Sequence, residues 1–439
     1  MKPFILVQGP VATRSGYGNH TRDLVTSLIK SEKYDIQIIS LPWGNTPSDA
    51  LKHDNAEHVE ILKRILTENP GRQPDVFIQI SVPNEFQKVG KYNIGITAGI
   101  ETTAVSHEFI QGANNMDLLI VTSEHAKTGF VNTVYDKVDE KTKQKQGSLK
   151  IETPVEVLFE GADLNVYKKN NKLDPVIINE LSMIKNPFCF LFVGHWLKGD
   201  VGQDRKDVGM MIKTFCEAFK NKAARNRPAL ILKTSHATFS IMDREEITNK
   251  IQHIIKPYGI KIPEIYLIHG DLTDVQMNDL YNHPKIKAMI SFTKGEGFGR
   301  PLLEFSLTGK PIIASNWSGH VDFLKHSIML PGQLTDIHAS AADKFLIKGS
   351  KWFTVNYPAA AHVLRDITQN YKNYLDQSRK QAKYSRDNFS LDAMSKLFCD
   401  LVDKGLSNLP QQINLNLPKL KKIGQEETPK IKLPKLTKG

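Results

Sequence analysis

Ala288-Met289-Ile290-Ser291-Phe292, then Gly295-Glu296-Gly297-Phe298-Gly299-Arg300-Pro301-Leu302-Leu303-Glu304, then Gly309-Lys310-Pro311-Ile312-Ile313-Ala314-Ser315 read as a strand, a glycine-flanked turn that opens a helix, and the next strand. The two apolar runs have strand character, and Pro301 suits the first helical turn, where its missing N–H goes unused. Glu304 then falls in that first turn, beside free backbone N–H groups that favour anionic oxygen, while glycines let the backbone approach a ligand closely. Glu296 stays on the loop, free to contact whatever sits above it. A lone Gly-x-Gly segment is equally a surface turn whose acids offset the helix dipole.

Outward from this unit the same alternation recurs. Strand-like runs at 4–8, 35–41, 76–81, 93–97, 118–122 and 155–159 are separated mostly by segments of helical composition, and a second series runs through 188–194, 229–233, 265–269, 288–292 and 311–315. Strands alternating with helices build a parallel, doubly wound sheet. The expected fold is therefore α/β, with two tandem Rossmann-like domains whose parallel sheets face a central cleft, since open sheets of this kind bind ligands beyond the carboxyl ends of their strands. The boundaries read as 1–165 for the first domain and 175–384 for the second. Residues 385–406 are expected to pack back on the first domain, the spacing over 394–406 being amphipathic. A Pro- and Lys-rich tail at 407–439 has prolines too frequent for a helix and reads as disordered.

A chain of 439 residues is long enough for two separate cores, which excludes a single small module. Cys189, Cys216 and Cys399 are isolated and lie in apolar stretches, so neither a disulfide framework nor a zinc site is indicated, and a reducing cytoplasm is the default location. The opening segment reaches a polar loop too soon for a signal peptide, and no apolar run is long enough to span a bilayer. The net charge of +11 favours polyanions without fixing a partner. Much of the excess sits in the tail, at Lys419, Lys421, Lys422, Lys430, Lys432, Lys435 and Lys438, either as a solvated extension or as a tether to an anionic surface or a protein groove.

Two carboxylates spaced Glu296-x7-Glu304, followed by 309–315 as the next strand, resemble the donor-site signature of retaining glycosyltransferases of family 4. The likeness extends to about residue 406 and implies the GT-B architecture, a nucleoside diphosphate sugar as co-substrate, no further cofactor and no metal. Glu304 would hydrogen-bond the donor ribose, Glu296 the hydroxyls of the transferred sugar, and Gly297, Phe298 and Gly299 would present backbone groups. Members supply an Arg and a Lys to the diphosphate from the loop after the first strand of the second domain. Lys206 matches the Lys. Where many members have Gly-Arg, this chain has Gly194-His195 and an inserted 196–204 loop, so Arg205 is the substitute. Asp207 reads as the N-cap of a helix with Val208, Met211, Ile212, Phe215 and Phe219 inward. The absence of any Asp-x-Asp agrees with cationic side chains in place of a divalent ion.

On the first domain, the Ser15-Gly16-Tyr17-Gly18 turn and the segment 96–103 resemble the acceptor side, with Gly16, Tyr17, Glu101 and His107 as its candidates. Either Glu101 or His107 is a possible general base, though each is more often a structural residue. Ser123 reads as an N-cap, Thr273-Asp274-Val275-Gln276 as a capping box, and Lys233 as a surface residue. The reading is a retaining, metal-independent glycosyltransferase acting on a carbohydrate or lipid-linked acceptor. Its alternatives are sugar transfer to modified nucleic acid, another enzyme on the same architecture such as an epimerase or a phosphorylase, and a non-catalytic sugar- or nucleic-acid-binding protein.

Overall fold

Short runs of β-branched and aromatic residues alternate with amphipathic segments, and in the computed structural model they form two parallel sheets of six strands each. Residues 2–409 are described, apart from 140, 143, 237, 238, 260 and 261. The first sheet holds β1 (Phe4–Gly9), β2 (Asp35–Ser40), β3 (Val76–Ile80), β4 (Tyr92–Thr97), β5 (Leu118–Val121) and, after a hairpin of β6 (Tyr135–Val138) and β7 (Lys145–Leu149), β8 (Val155–Val157). Its order is β2-β1-β3-β4-β5-β8. The second holds β9 (Cys189–Val193), β10 (Ala229–Lys233), β11 (Ile265–Ile268), β12 (Ile286–Ser291), β13 (Ile312–Ser315) and β14 (Ile328–Leu330), in the order β11-β10-β9-β12-β13-β14. Central strands such as β3 are buried along their whole length because both faces of a parallel sheet are covered, which is why they read as unbroken apolar runs.

Each sheet reverses its winding once, between β1 and β3 in the first and between β9 and β12 in the second. A crevice opens beyond the carboxyl ends of the strands at such a switch point. The loops that leave β1, β9 and β12 are therefore the ones topology brings to the cleft, and they carry Gly16-Tyr17, Arg205-Lys206 and Glu296.

Several caps follow from sequence. Ser123 accepts the N–H of Ala126, and Thr273 with Gln276 makes the reciprocal capping box. Five strands were not anticipated: the β6–β7 hairpin, the three-residue β14 and an antiparallel pair of β15 (Gly332–Asp336) and β16 (Lys351–Val355). All are too short or too polar to announce themselves by alternation.

The chain crosses from the first sheet to the second next to where it returns. Ala162 N–H donates to Phe389 O at 3.0 Å and Leu391 N–H to Ala162 O at 2.8 Å, and a Cβ on Gly161 would lie 2.5 Å from Leu391 Cα. The last described helix, Leu391–Ser407, then inserts Met394, Phe398, Cys399 and Val402 into the core of the first sheet. All three cysteines are free and buried. Among the described residues no helix is long and apolar enough to cross a membrane. From residue 410 on, the tail read as disordered lies outside the described residues.

Phe398 is fully buried in that core. Phe398→Ala should lower the stability of the first lobe by about 3–5 kcal/mol in a denaturant titration, and a loss of under about 1 kcal/mol would show that the returning helix is not part of this core.

Candidate active site

The loop between β12 and the helix Arg300–Ser306 touches the first lobe backbone to backbone. A Cβ on Gly295 would lie 1.9 Å from Glu101 O, and one on Gly297 would lie 1.6 Å from Ala98 O, so no other residue fits at either place. Thr122 Oγ1 also donates to Gly297 O at 3.1 Å. Gly299 adopts φ 101°, in the left-handed region that suits glycine, and from there the helix begins. The ring of Phe298 is buried and packs on Phe323 at 4.9 Å, anchoring the loop from below.

Glu296 is the hub. Its N–H donates to Ser318 Oγ at 2.9 Å, and its carboxylate pairs with Lys206 Nζ and, at 3.2 Å, with Arg205 Nη1. Arg205 Nη1 also donates to Gly295 O at 2.8 Å, while its Nε lies 3.1 Å from Glu101 Oε2 on the first lobe. The structure thus brings Arg205, Lys206, Glu101 and Glu296 into one cluster between the lobes. Burial alone would raise the Glu296 carboxyl, and the charges of Lys206 and Arg205 outweigh it, holding it down at about 2. Glu101 is held above the usual carboxylate value by burial, against the pull of Arg205.

Glu304 differs from the expectation. As the fifth residue of its helix it lies beyond the first turn, away from the free N–H groups, and it is instead buried with Arg300 Nε at 3.0 Å and the Tyr281 hydroxyl at 3.1 Å. Burial, opposed by Arg300, raises its carboxyl to about 7. Arg300 also reaches Asp23 on the first lobe at 2.6 Å.

Gly194 lies under Lys206, since a Cβ there would come 3.4 Å from Lys206 Cε. His195 packs beside it with Nδ1 3.2 Å from Ser235 Oγ, kept below its ordinary value by burial and by the Lys206 charge. Gly16 opens the helix Gly16–Ser31 with nothing within 4 Å of its Cβ direction, so that corner stays accessible. Tyr17 is a clamp: its oxygen accepts the N–H groups of Ala98 and Gly99 at 3.0 Å each, which fixes the strand end that Gly297 touches. His107 is exposed at the start of the helix His107–Ala113, edge-on to Tyr135, and does not join the Glu296 cluster.

Two further readings need correction. Asp207 has φ 52° and caps nothing with its side chain; Asp204 Oδ2 takes the Val208 N–H instead, at 3.1 Å. Lys233 is partly buried, donating to Gly270 O at 2.8 Å, where the surface was expected. Sequence reasoning also passed over Glu160, which is buried at the crossing between the lobes and raised to about 7 by burial despite Arg300. Its only signal was a carboxylate at the end of an apolar run. Among the described residues no group of three or more His, Cys, Asp or Glu side chains is arranged to hold a metal ion.

No protein-family model matches the sequence, and no curated protein matches it. Solved structures do match. A glycosyltransferase from Rickettsia africae aligns over 93% of this chain and 99% of its own at 14% identity, with a TM-score of 0.59. Sucrose-phosphate synthase from Thermosynechococcus elongatus covers 93% of this chain and 100% of its own at 12% identity and a TM-score of 0.61. Anabaena HepE, in complex with UDP-glucose, covers 91% and 99% at 12% identity and a TM-score of 0.55. The fold is GT-B. Identities this low carry the fold alone, and in the GT-B frame the Glu296 cluster occupies the crevice between the two sheets.

Two outcomes are expected. Gly297→Ala must push the lobes apart at Ala98, so its radius of gyration by X-ray scattering should rise and any activity of the cleft fall by about a hundredfold; unchanged scattering would mean that the lobes do not close on this loop. For Glu304, the folded state holds its proton up to about 7 whereas an exposed carboxyl of 4.5 has released it, so the folded state binds more protons in that window and stability falls as pH rises through it. Glu304→Gln removes the share of the slope that Glu304 contributes, while Glu160, raised in the same way, keeps its own. In thermal melts the variant's advantage over the parent chain should grow from about pH 4 to about pH 8, and parallel pH profiles would show that Glu304 ionises freely.

Proposed function

We propose that this chain is a glycosyltransferase that moves a sugar from a nucleoside diphosphate sugar to a hydroxyl acceptor, with retention, without a metal ion, and as a relative of family 4. The observation that carries the reading is the clasp of Glu296 by Arg205 and Lys206 at the switch point of the second sheet. Breaking a glycosidic bond to a diphosphate leaves negative charge on the departing oxygens, and groups already in place to meet that charge lower the barrier most. Arg205 and Lys206 are such groups. Without a donor, Glu101 and Glu296 neutralise them; with one, the phosphate oxygens take over part of those contacts and free the Glu296 carboxylate for the hydroxyls of the sugar. Until the donor arrives, the charges of Lys206 and Arg205 keep that carboxylate ionised against the effect of burial.

Glu304 is assigned to the donor ribose, accepting from one hydroxyl while Arg300 and Tyr281 hold it. Gly297 and Gly299 keep the backbone close to the sugar, and Gly194 and His195 line the floor beneath Lys206. Gly16 and Tyr17 border the acceptor side, where Glu101 rather than His107 stands near enough to the cations to serve the acceptor hydroxyl. Retention is ascribed to same-face attack assisted by the leaving group, and no carboxylate is assigned as nucleophile. Nucleotide sugars are supported as donors by the UDP-glucose in HepE. The acceptor is assigned as a carbohydrate or lipid-linked glycan, the location as cytoplasmic with the basic tail as a tether, and the domains as 1–165 with 385–406, and 175–384.

A panel of nucleotide sugars that begins with UDP-glucose, assayed for hydrolysis and transfer, tests the proposal. One donor should be turned over, and Glu296→Ala and Lys206→Ala should each lower kcat by about 10²–10³-fold. No turnover across the panel, or full activity in both variants, would overturn it.

A further inference from the structure

Lys294 and Asp207 are charged residues with almost no access to water, at 1% and 0% exposure. Lys294 Nζ lies 3.3 Å from Asp207 Oδ2 and donates to Thr354 Oγ1 at 2.9 Å, and the Tyr357 hydroxyl donates to the same Asp207 oxygen at 2.8 Å. The backbone of Lys294 is tied as well. Its N–H donates to Arg205 O at 2.7 Å, and its carbonyl accepts the N–H of Phe353 at 2.9 Å. One residue therefore joins the cation loop, the Glu296 loop and β16.

Asp207 pays with its conformation. A φ of 52° is uncommon for a residue other than glycine and persists only where the surroundings hold it. Because Asp204 caps the helix, the Asp207 carboxylate is free to point at Lys294. Its Oδ1, and that of Asp204, are buried with no hydrogen-bond partner among the described residues, an arrangement that stability alone does not favour. Among the described residues no hydrogen bond or ion pair joins Lys294 or Asp207 to the Glu296 side chain, yet Arg205 and Lys206 lie between Asp204 and Asp207 and extend from the segment this pair fixes.

We propose that Lys294 and Asp207 are positioning residues of the diphosphate site, a buried ion pair that holds the Arg205-Lys206 loop in register with the Glu296 loop. The proposal rests on the glycosyl-transfer reading and extends it. A shift of a fraction of an ångström between the two loops would leave the donor bound while moving the cations off the charge that develops in the transition state. The effect belongs in kcat rather than in KM. Removing one partner strands a buried charge, whereas removing both together is milder.

The experiment measures donor hydrolysis, with UDP-glucose and the other members of the panel, for Lys294→Met, Asp207→Asn and the double variant, beside melting temperatures. Lys294→Met should lose about a hundredfold in kcat with donor KM within about threefold of the parent, and the double variant should regain about tenfold of that loss. Should Lys294→Met not fold, Asp207→Asn gives the reading by itself, because Asn tolerates the left-handed backbone and still accepts from Tyr357. Unchanged kcat in a folded variant overturns the proposal, and so does a loss that tracks the melting temperature with no recovery in the double variant. A parent chain that turns over no nucleotide sugar removes the glycosyl-transfer reading itself, a result distinct from active parent and active variants.

Discussion

Two glycines pressed against a foreign backbone set the terms for everything else in this molecule. Gly295 and Gly297 sit so close to Glu101 O and Ala98 O that the second lobe meets the first without a side chain between them. Water is excluded from that contact, and the ionisable groups around it have to satisfy one another. Glu296 therefore keeps its charge only because Arg205 and Lys206 supply theirs. Desolvating such groups is expensive, and the expense is recovered only with good geometry. Two cations and two carboxylates, with Glu101 as the fourth, leave the cluster near neutrality.

The sequence made the strands legible because both faces of each sheet are covered, and Glu296 and Lys206 were singled out by their resemblance to a family motif, Lys206 across an inserted loop. Partnerships were a different matter. That Arg205 would reach Glu101, or that Tyr17 would clamp Ala98 and Gly99, depends on how two separately folded sheets face each other, and no local pattern encodes it. Asp207 shows the mechanism of the error. An Asp before an amphipathic run is a sound N-cap by propensity, but a buried lysine from another strand end took its carboxylate, and Asp204 took over the cap. Lys233 erred for the same reason, its partner Gly270 O being tertiary, whereas Glu304 was misplaced by local helix register, the helix starting at Arg300 so that Glu304 falls beyond its first turn.

The lobes are also tied by charge, and the ties are unequal. Arg14 meets Asp271 on the other lobe, but Asp271 is half exposed, and such pairs contribute little once solvent and salt screen them. Arg300 with Asp23 is different, because both side chains are largely covered and a carboxylate stripped of its guanidinium there would stand unpaired in a poorly solvated place.

Arg300 does two things with one guanidinium. Its Nη1 holds Asp23 of the first lobe and its Nε holds Glu304 of the second, one turn further along the helix that follows the Glu296 loop. Any displacement of the first lobe therefore alters the electrostatics of Glu304, whose proton is already finely balanced by burial on one side and Arg300 on the other. The two chain crossings are hydrogen-bonded to each other at Ala162, Phe389 and Leu391, which adds a backbone tie beside the one that Arg300 makes. Burial and Arg300 thus act in opposite directions on the Glu304 carboxyl, and the guanidinium that lowers it is the same one that ties Asp23 of the first lobe to the helix after the last glycine of the turn.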